Sequence, residues 1–176
     1  LRREEVDLVG LLVDTVADAR AAGPEHDWQL DLAVLEPPAG ATAEEAEDFL
    51  PEPPLVIGDE ARLRQVVVNL LANARVHTPA GSHVTTTLAR EGDTLIVRIH
   101  DDGPGIAPDV RDRLFERFAR GDSSRERRTG STGLGMSIAL AIVQSHGGSI
   151  DVDSSTASED HGTTFTVRLP AAVVEE

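Results

Sequence analysis

Asn69 and Asn73 stand four residues apart in the run Gln65-Val66-Val67-Val68-Asn69-Leu70-Leu71-Ala72-Asn73. On a helix they share one face, which Gln65 and His77 extend, while leucines and valines line the neighbouring face. Asparagine inside a helix costs roughly 0.5 kcal/mol against alanine. Such a row is either the solvated side of an amphipathic helix or a binding face, and two amides favour the second. An amide carbonyl is a hard oxygen donor, able to share Mg²⁺ with phosphate oxygens and water. A second candidate is Asp101-Asp102-Gly103-Pro104-Gly105-Ile106. Its composition is that of an ordinary turn, yet an aspartate closing a strand can also accept a hydrogen bond from an exocyclic amino group, as on adenine. The third is Gly130-Ser131-Thr132-Gly133-Leu134-Gly135-Met136, leading into an apolar segment. Glycines before a helix serve as cap geometry, or let backbone N–H groups and the positive helix end approach phosphate oxygens.

Just upstream, positions 111–128 carry Arg111, Arg113, Arg117, Arg120, Arg125, Arg127 and Arg128 against four acids. This is a cationic stretch in a 176-residue chain of formal net charge -15. Any anionic ligand must therefore be held locally, and a general affinity for nucleic acid or anionic lipid is excluded. All 16 basic residues are arginine, which removes a lysine Schiff base and a P-loop lysine. With no cysteine, thiol nucleophiles and zinc–cysteine centres go too. The histidines at 26, 83, 100, 146 and 161 show no paired-ligand spacing and read as surface or core residues. No Gly-x-Ser-x-Gly elbow occurs, and the acids at 44–52 lack the alternation of a calcium loop.

These residues need elements to hold them. Asp7 is placed to cap a helix that Gly23-Pro24 ends, and Trp28, Leu30, Leu32 and Val34 alternate like a strand. Residues 36–54 hold five of the ten prolines and six acids with no base, and read as a long solvated loop. A short strand at 55–57 precedes a long helix from an Asp59 cap to Pro79. Strands at 84–89 and 95–99 join at Glu91-Gly92-Asp93. A helix follows near 109–118, then a mobile stretch at 120–132, and an apolar helix over 134–145 ended by Gly147-Gly148. Two strands, 149–153 and 163–169, complete the chain. The order predicts one α+β domain over 1–176, a two-layer sandwich with a mixed or antiparallel sheet and helices on one face. No apolar run approaches a membrane span, so the chain is expected to be soluble.

In this order the motifs resemble the ATP-binding catalytic domain of bacterial sensor histidine kinases, in the superfamily that includes gyrase and mismatch-repair ATPases. Leu63 to Ala74 with His77-Thr78-Pro79 resembles its asparagine box, and Asp101-x-Gly103-x-Gly105-Ile106 its first glycine box. Leu114-Phe115-Glu116-Arg117-Phe118, Thr132-Gly133-Leu134-Gly135 and Gly162-Thr163-Thr164-Phe165 match the boxes that follow. The resemblance implies ATP and Mg²⁺ as cofactors, with Asn73 on the metal and Asn69 beside it as the catalytic pair. Asp101 would bind the adenine amino group, with Gly103, Gly105 and Ile106 shaping the base pocket and His77 beside the nucleoside. Thr132, Gly133, Leu134, Gly135 and Met136 would cradle phosphates, and Thr164 would complete the ATP contacts. Phe115 and Phe118 would anchor a lid at 120–132 whose Arg120, Arg127 and Arg128 reach the phosphates. Two positions depart from the pattern: Val76 replaces a usual base, and Ser131 a frequent glycine.

The implied reaction is transfer of the γ-phosphate to a histidine on a dimerisation hairpin. No such hairpin lies in this sequence, so it is expected upstream of Leu1, the chain being part of a longer protein. The expected partners are that hairpin and a response regulator; the domain itself is expected to be monomeric and its parent a homodimer. Expected placement is cytoplasmic, on a membrane-anchored parent. The alternatives are a hydrolytic ATPase of the same superfamily, which would carry glutamate at Asn69, and a regulatory module that binds nucleotide without chemistry.

Overall fold

The computed structural model describes residues 2–115 and 135–173. Strand β1 (Glu4–Asp7) runs into α1 (Leu8–Ala22), which Asp7 caps by accepting the Val9 N–H at 2.9 Å. Gly23 ends α1, donating its N–H to Ala19. Next come β2 (Asp27–Asp31), a 3-10 turn at Ala33–Leu35, α2 (Ala43–Glu47) and β3 (Leu55–Gly58). The long α3 (Glu60–His77) starts at an Asp59 cap. β4 (His83–Glu91) and β5 (Thr94–Asp101) turn on Gly92, whose φ of 59° suits glycine. After α4 (Pro108–Asp112) the described chain resumes with α5 (Gly135–Ser145), β6 (Ser149–Ser155) and β7 (Gly162–Pro170).

The fold is a two-layer α+β sandwich on a five-stranded mixed sheet of order β2-β4-β5-β7-β6. β2 and β4 are parallel and every other pair is antiparallel. Leu88, Val97, Ile99, Phe165 and Val167 line the buried face, joined by Leu11 and Leu12 of α1, Leu70 and Leu71 of α3, and Val143 of α5 in one core. Truncating one such leucine to alanine costs roughly 2–5 kcal/mol. The alternate positions, Thr85, Thr87, Arg98, His100, Thr164, Thr166 and Arg168, carry polar side chains on the other face.

Four local expectations are corrected. The strand expected through Val34 stops at Asp31, and Val34 sits in the 3-10 turn with its side chain buried. The stretch at 36–54 is not loop throughout: Thr42 and Glu45 form a reciprocal capping box that starts α2. β3 does not join the main sheet; it pairs antiparallel with β1, which the sequence reading passed over. The helix expected over 109–118 is described as Pro108–Asp112 with a turn to Phe115. Phe118 and the lid at 120–132, with Arg120, Arg127 and Arg128, lie outside the described residues, as do Thr132, Gly133 and Leu134.

Candidate functional site

α3 positions the amide row because its opposite stripe, Leu63, Val66, Val67, Leu70, Leu71 and Ala74, is buried in the core. Asn69 Nδ2 donates to the Gly135 carbonyl at 3.2 Å, tying mid-α3 to the first residue of α5. A carbonyl can only accept, so this bond fixes which way the amide faces. Gly135 needs no special backbone room: a Cβ there would meet only ordinary contacts with Asn69. Asn73 is half-buried, and its side chain makes no hydrogen bond among the described residues. Gln65 and His77 are exposed on the same helix.

At the C-terminus of α3, Thr78 Oγ1 donates to the Ala74 carbonyl at 2.6 Å and accepts from His26 Nε2 at 2.7 Å. This sets the threonine rotamer, and its methyl group fills the space where a Cβ on Gly103 would lie. α3 therefore reaches the 101–106 turn at one end and the start of α5 further back. The separation from Thr78 to Asn69 is about 13.5 Å at the helical rise, with Asn73 between.

Pairing with Val84 and Thr163 aligns Asp101 with the buried face of β5, so its side chain follows Val97 and Ile99 inward. It is only 6% exposed. Burial pushes its carboxyl above the usual aspartate range, and the opposing pull of the Gly103 N–H, which Oδ1 accepts at 3.0 Å, does not cancel that push. The neighbouring Asp102 behaves oppositely. Burial raises it, but the His83 N–H at 2.7 Å and ring Nδ1 at 3.0 Å together outweigh that and hold it below the ordinary value. One of the two adjacent acids is tied to a surface histidine, and the other is buried with a costly charge.

The glycines of the turn answer to protein neighbours. A Cβ on Gly103 would strike Thr78, and one on Gly105, at φ +84°, would fall on the Ser155 carbonyl. Ile106 packs against the core and donates its N–H to Ser154 Oγ at 2.7 Å. Phe115 packs edge-on against Phe165, with ring centroids 6.5 Å apart. Two expected contacts move. Thr164 lies on the outer face and bonds His100 Nδ1 at 2.8 Å, because Phe165 beside it points into the core; Thr163 takes the inward position opposite Asp101. Met136 is 7% exposed and packs within the core, so its side chain faces the protein rather than a ligand. Sequence reasoning missed His26, Ser154 and His161, and named Thr78 and Thr163 only as motif positions without a contact of their own. Only the strand alternation around Phe165 offered a signal, and only for Thr163.

A buried acid at a strand end, a helix face of amides and the start of a second helix at that face are brought together on one side of the α+β sandwich. Residues 58–173 match the family model described as histidine kinase-, DNA gyrase B-, and HSP90-like ATPase, and the chain belongs to that family. Within it, the chain is of the histidine kinase type. It is 48% identical to the probable sensor histidine kinase TcrY of Mycobacterium tuberculosis over 97% of its own length and 31% of the relative. The mycobacterial sensor histidine kinase MprB superposes with a TM-score of 0.75 at 27% identity, covering 98% of this chain and 99% of that one. Full-length ShkA, solved in complex with AMPPNP, gives 0.74 at 27% identity over 100% of this chain and 32% of its own. The chain thus spans about a third of the length of these curated relatives. Among the described residues, no helix is long and apolar enough to cross a membrane.

Proposed function

We propose that this domain binds Mg·ATP along α3 and donates the γ-phosphate to a histidine on a separate dimerisation hairpin of its parent protein, for relay to a response regulator. The observation that carries the reading is Asp101: a desolvated carboxylate held by its own turn, abutting the end of a helix whose amides lead to Gly135. The base sits at Asp101, which accepts from the adenine amino group. Phosphates run along α3 toward the N-terminus of α5, where the helix dipole and first-turn backbone N–H groups favour negative charge.

The donor set suits Mg²⁺. Among the described residues no three acidic or histidine side chains converge, so protein ligation falls to the Asn73 amide, with phosphate oxygens and water filling the other positions. The ion, when bound, neutralises charge on the transferring phosphoryl group. Asn69 holds Gly135 in place through Nδ2 and keeps Oδ1 available at the phosphate end. Being a neutral amide, it cannot take a proton from water, which favours transfer to an imidazole over hydrolysis. In that step the imidazole nitrogen attacks the γ-phosphorus in line, and the bond to the ADP oxygen breaks.

Titration calorimetry with ATP, with and without Mg²⁺, tests the binding half. Labelled γ-phosphate, with the parent's phosphoacceptor hairpin added, tests the transfer. Binding that requires Mg²⁺ and label that moves to histidine are the expected results. No binding refutes the reading outright.

A further inference from the structure

By sequence, Gly103-Pro104-Gly105 should make the 101–106 turn pliable. The structure instead pins it from the β6–β7 hairpin, nearly sixty residues away. Ser154 Oγ receives the Ile106 N–H at 2.7 Å and the Thr163 hydroxyl at 2.8 Å while donating to the Gly162 carbonyl at 3.1 Å. The Ser155 carbonyl lies where a Gly105 side chain would be. His161 Nδ1 donates to the Gly103 carbonyl at 2.5 Å, and since that oxygen only accepts, the proton must be on Nδ1.

We infer that His161 is a positioning residue for the base end of the nucleotide site, one that sets selectivity for an amino-bearing purine. The inference rests on the nucleotide reading above. Gly103 is gripped at both of its peptide groups: its N–H by Asp101 Oδ1, its carbonyl by His161. Rotation of Gly103 would therefore turn the Asp101 carboxylate away from the base. Thr78 closes the remaining side. His161 is itself exposed, so the contact adds little to the core; its consequence falls on the direction of the carboxylate.

The geometry supplies its own control. In asparagine, Nδ2 stands the same number of bonds from the backbone as histidine Nδ1, whereas the glutamine amide reaches one bond further. His161→Ala should weaken ATP binding roughly three- to tenfold, the value of one hydrogen bond. GTP, which lacks the amino group at that position, should bind as weakly as before, so the ATP/GTP affinity ratio falls. His161→Asn should restore the wild-type ratio and His161→Gln should not, with thermal midpoints close to wild type throughout. Calorimetry with each nucleotide and a thermal melt read all of this. The inference is overturned if His161→Ala keeps the wild-type ratio, if it weakens both nucleotides alike, or if His161→Asn behaves as the alanine variant does. A wild-type domain that binds no ATP removes the underlying reading as well, a result distinct from intact binding indifferent to position 161.

Discussion

The Asn73 amide is half-buried on a helix whose opposite stripe holds six buried residues, and it is not hydrogen-bonded among the described residues. Asn73→Ala removes an oxygen without touching the buried stripe, so the fold should survive while Mg-dependent nucleotide binding disappears. Calorimetry beside a melting curve checks both halves, and retained affinity would exclude the metal role. Asp101 gives a prediction with a sign. Its folded-state pKa is raised, chiefly by burial, so the folded protein holds that proton more tightly than the unfolded chain. Stability from this group is present at low pH and lost as pH rises through the raised value. Asp102, lowered by His83, contributes the opposite slope in a more acidic window. Asp101→Asn should therefore leave the empty domain at pH 7 as stable as wild type or more so, while ATP affinity falls about tenfold or further. Wild-type affinity should also decline as pH drops through the Asp101 titration, a decline the Asn variant lacks. Unchanged ATP binding in Asp101→Asn would remove the carboxylate from base recognition.

Among the elements, those with a strong apolar period were legible and those made by pairing or capping were not. α1, α3, α5 and the β4–β5 hairpin each repeat hydrophobic residues at the spacing of their own geometry, so their faces follow from sequence. β1 has one apolar residue, Val6, and becomes a strand only because β3, some fifty positions on, pairs with it. α2 was written plainly in Thr42 and Glu45, but proline and acid content masked it. At the site, Asn69, Asn73 and Asp101 could be picked out because their chemistry is unusual where they stand. The turn's clamps could not, because Ser154 and His161 look like ordinary hairpin residues until the sheet brings them to Gly103 and Ile106. That junction is where a small change should act most. Gly105→Ala forces a side chain into a left-handed backbone and against the Ser155 carbonyl, which backbone cannot easily yield. The loss should be at least about 2 kcal/mol in denaturant titration, with ATP binding impaired even where the variant still folds. Wild-type stability would show that β6 and the turn are not locked together.

At the scale of the whole molecule, both ends of the described chain come back to β3, the N-terminal one to its end and the C-terminal one to its start. Leu8 N–H donates to Pro54, Ala172 N–H to Leu55, and Arg2 N–H to the Asp59 carboxylate that caps α3. These bonds and one continuous core tie the described residues into a single sandwich. The proposed phosphoryl transfer differs from binding in that it calls for an accepting imidazole, which the proposal puts on a separate hairpin. If the acceptor is a histidine on another module, transfer between separate molecules must be second order. Its rate should rise linearly with added hairpin at fixed Mg·ATP until binding saturates. Joining the two by a flexible linker replaces that dependence with an effective concentration in the millimolar range, so the rate becomes independent of dilution. Phosphate should reach water only slowly in either case, since the neutral Asn69 offers no base to activate it. Label followed to phosphohistidine and to free phosphate, across a dilution series of mixed and linked protein, measures all three quantities. Rapid phosphate release by the domain alone, unaffected by the hairpin, would make it a hydrolase and end the transferase reading.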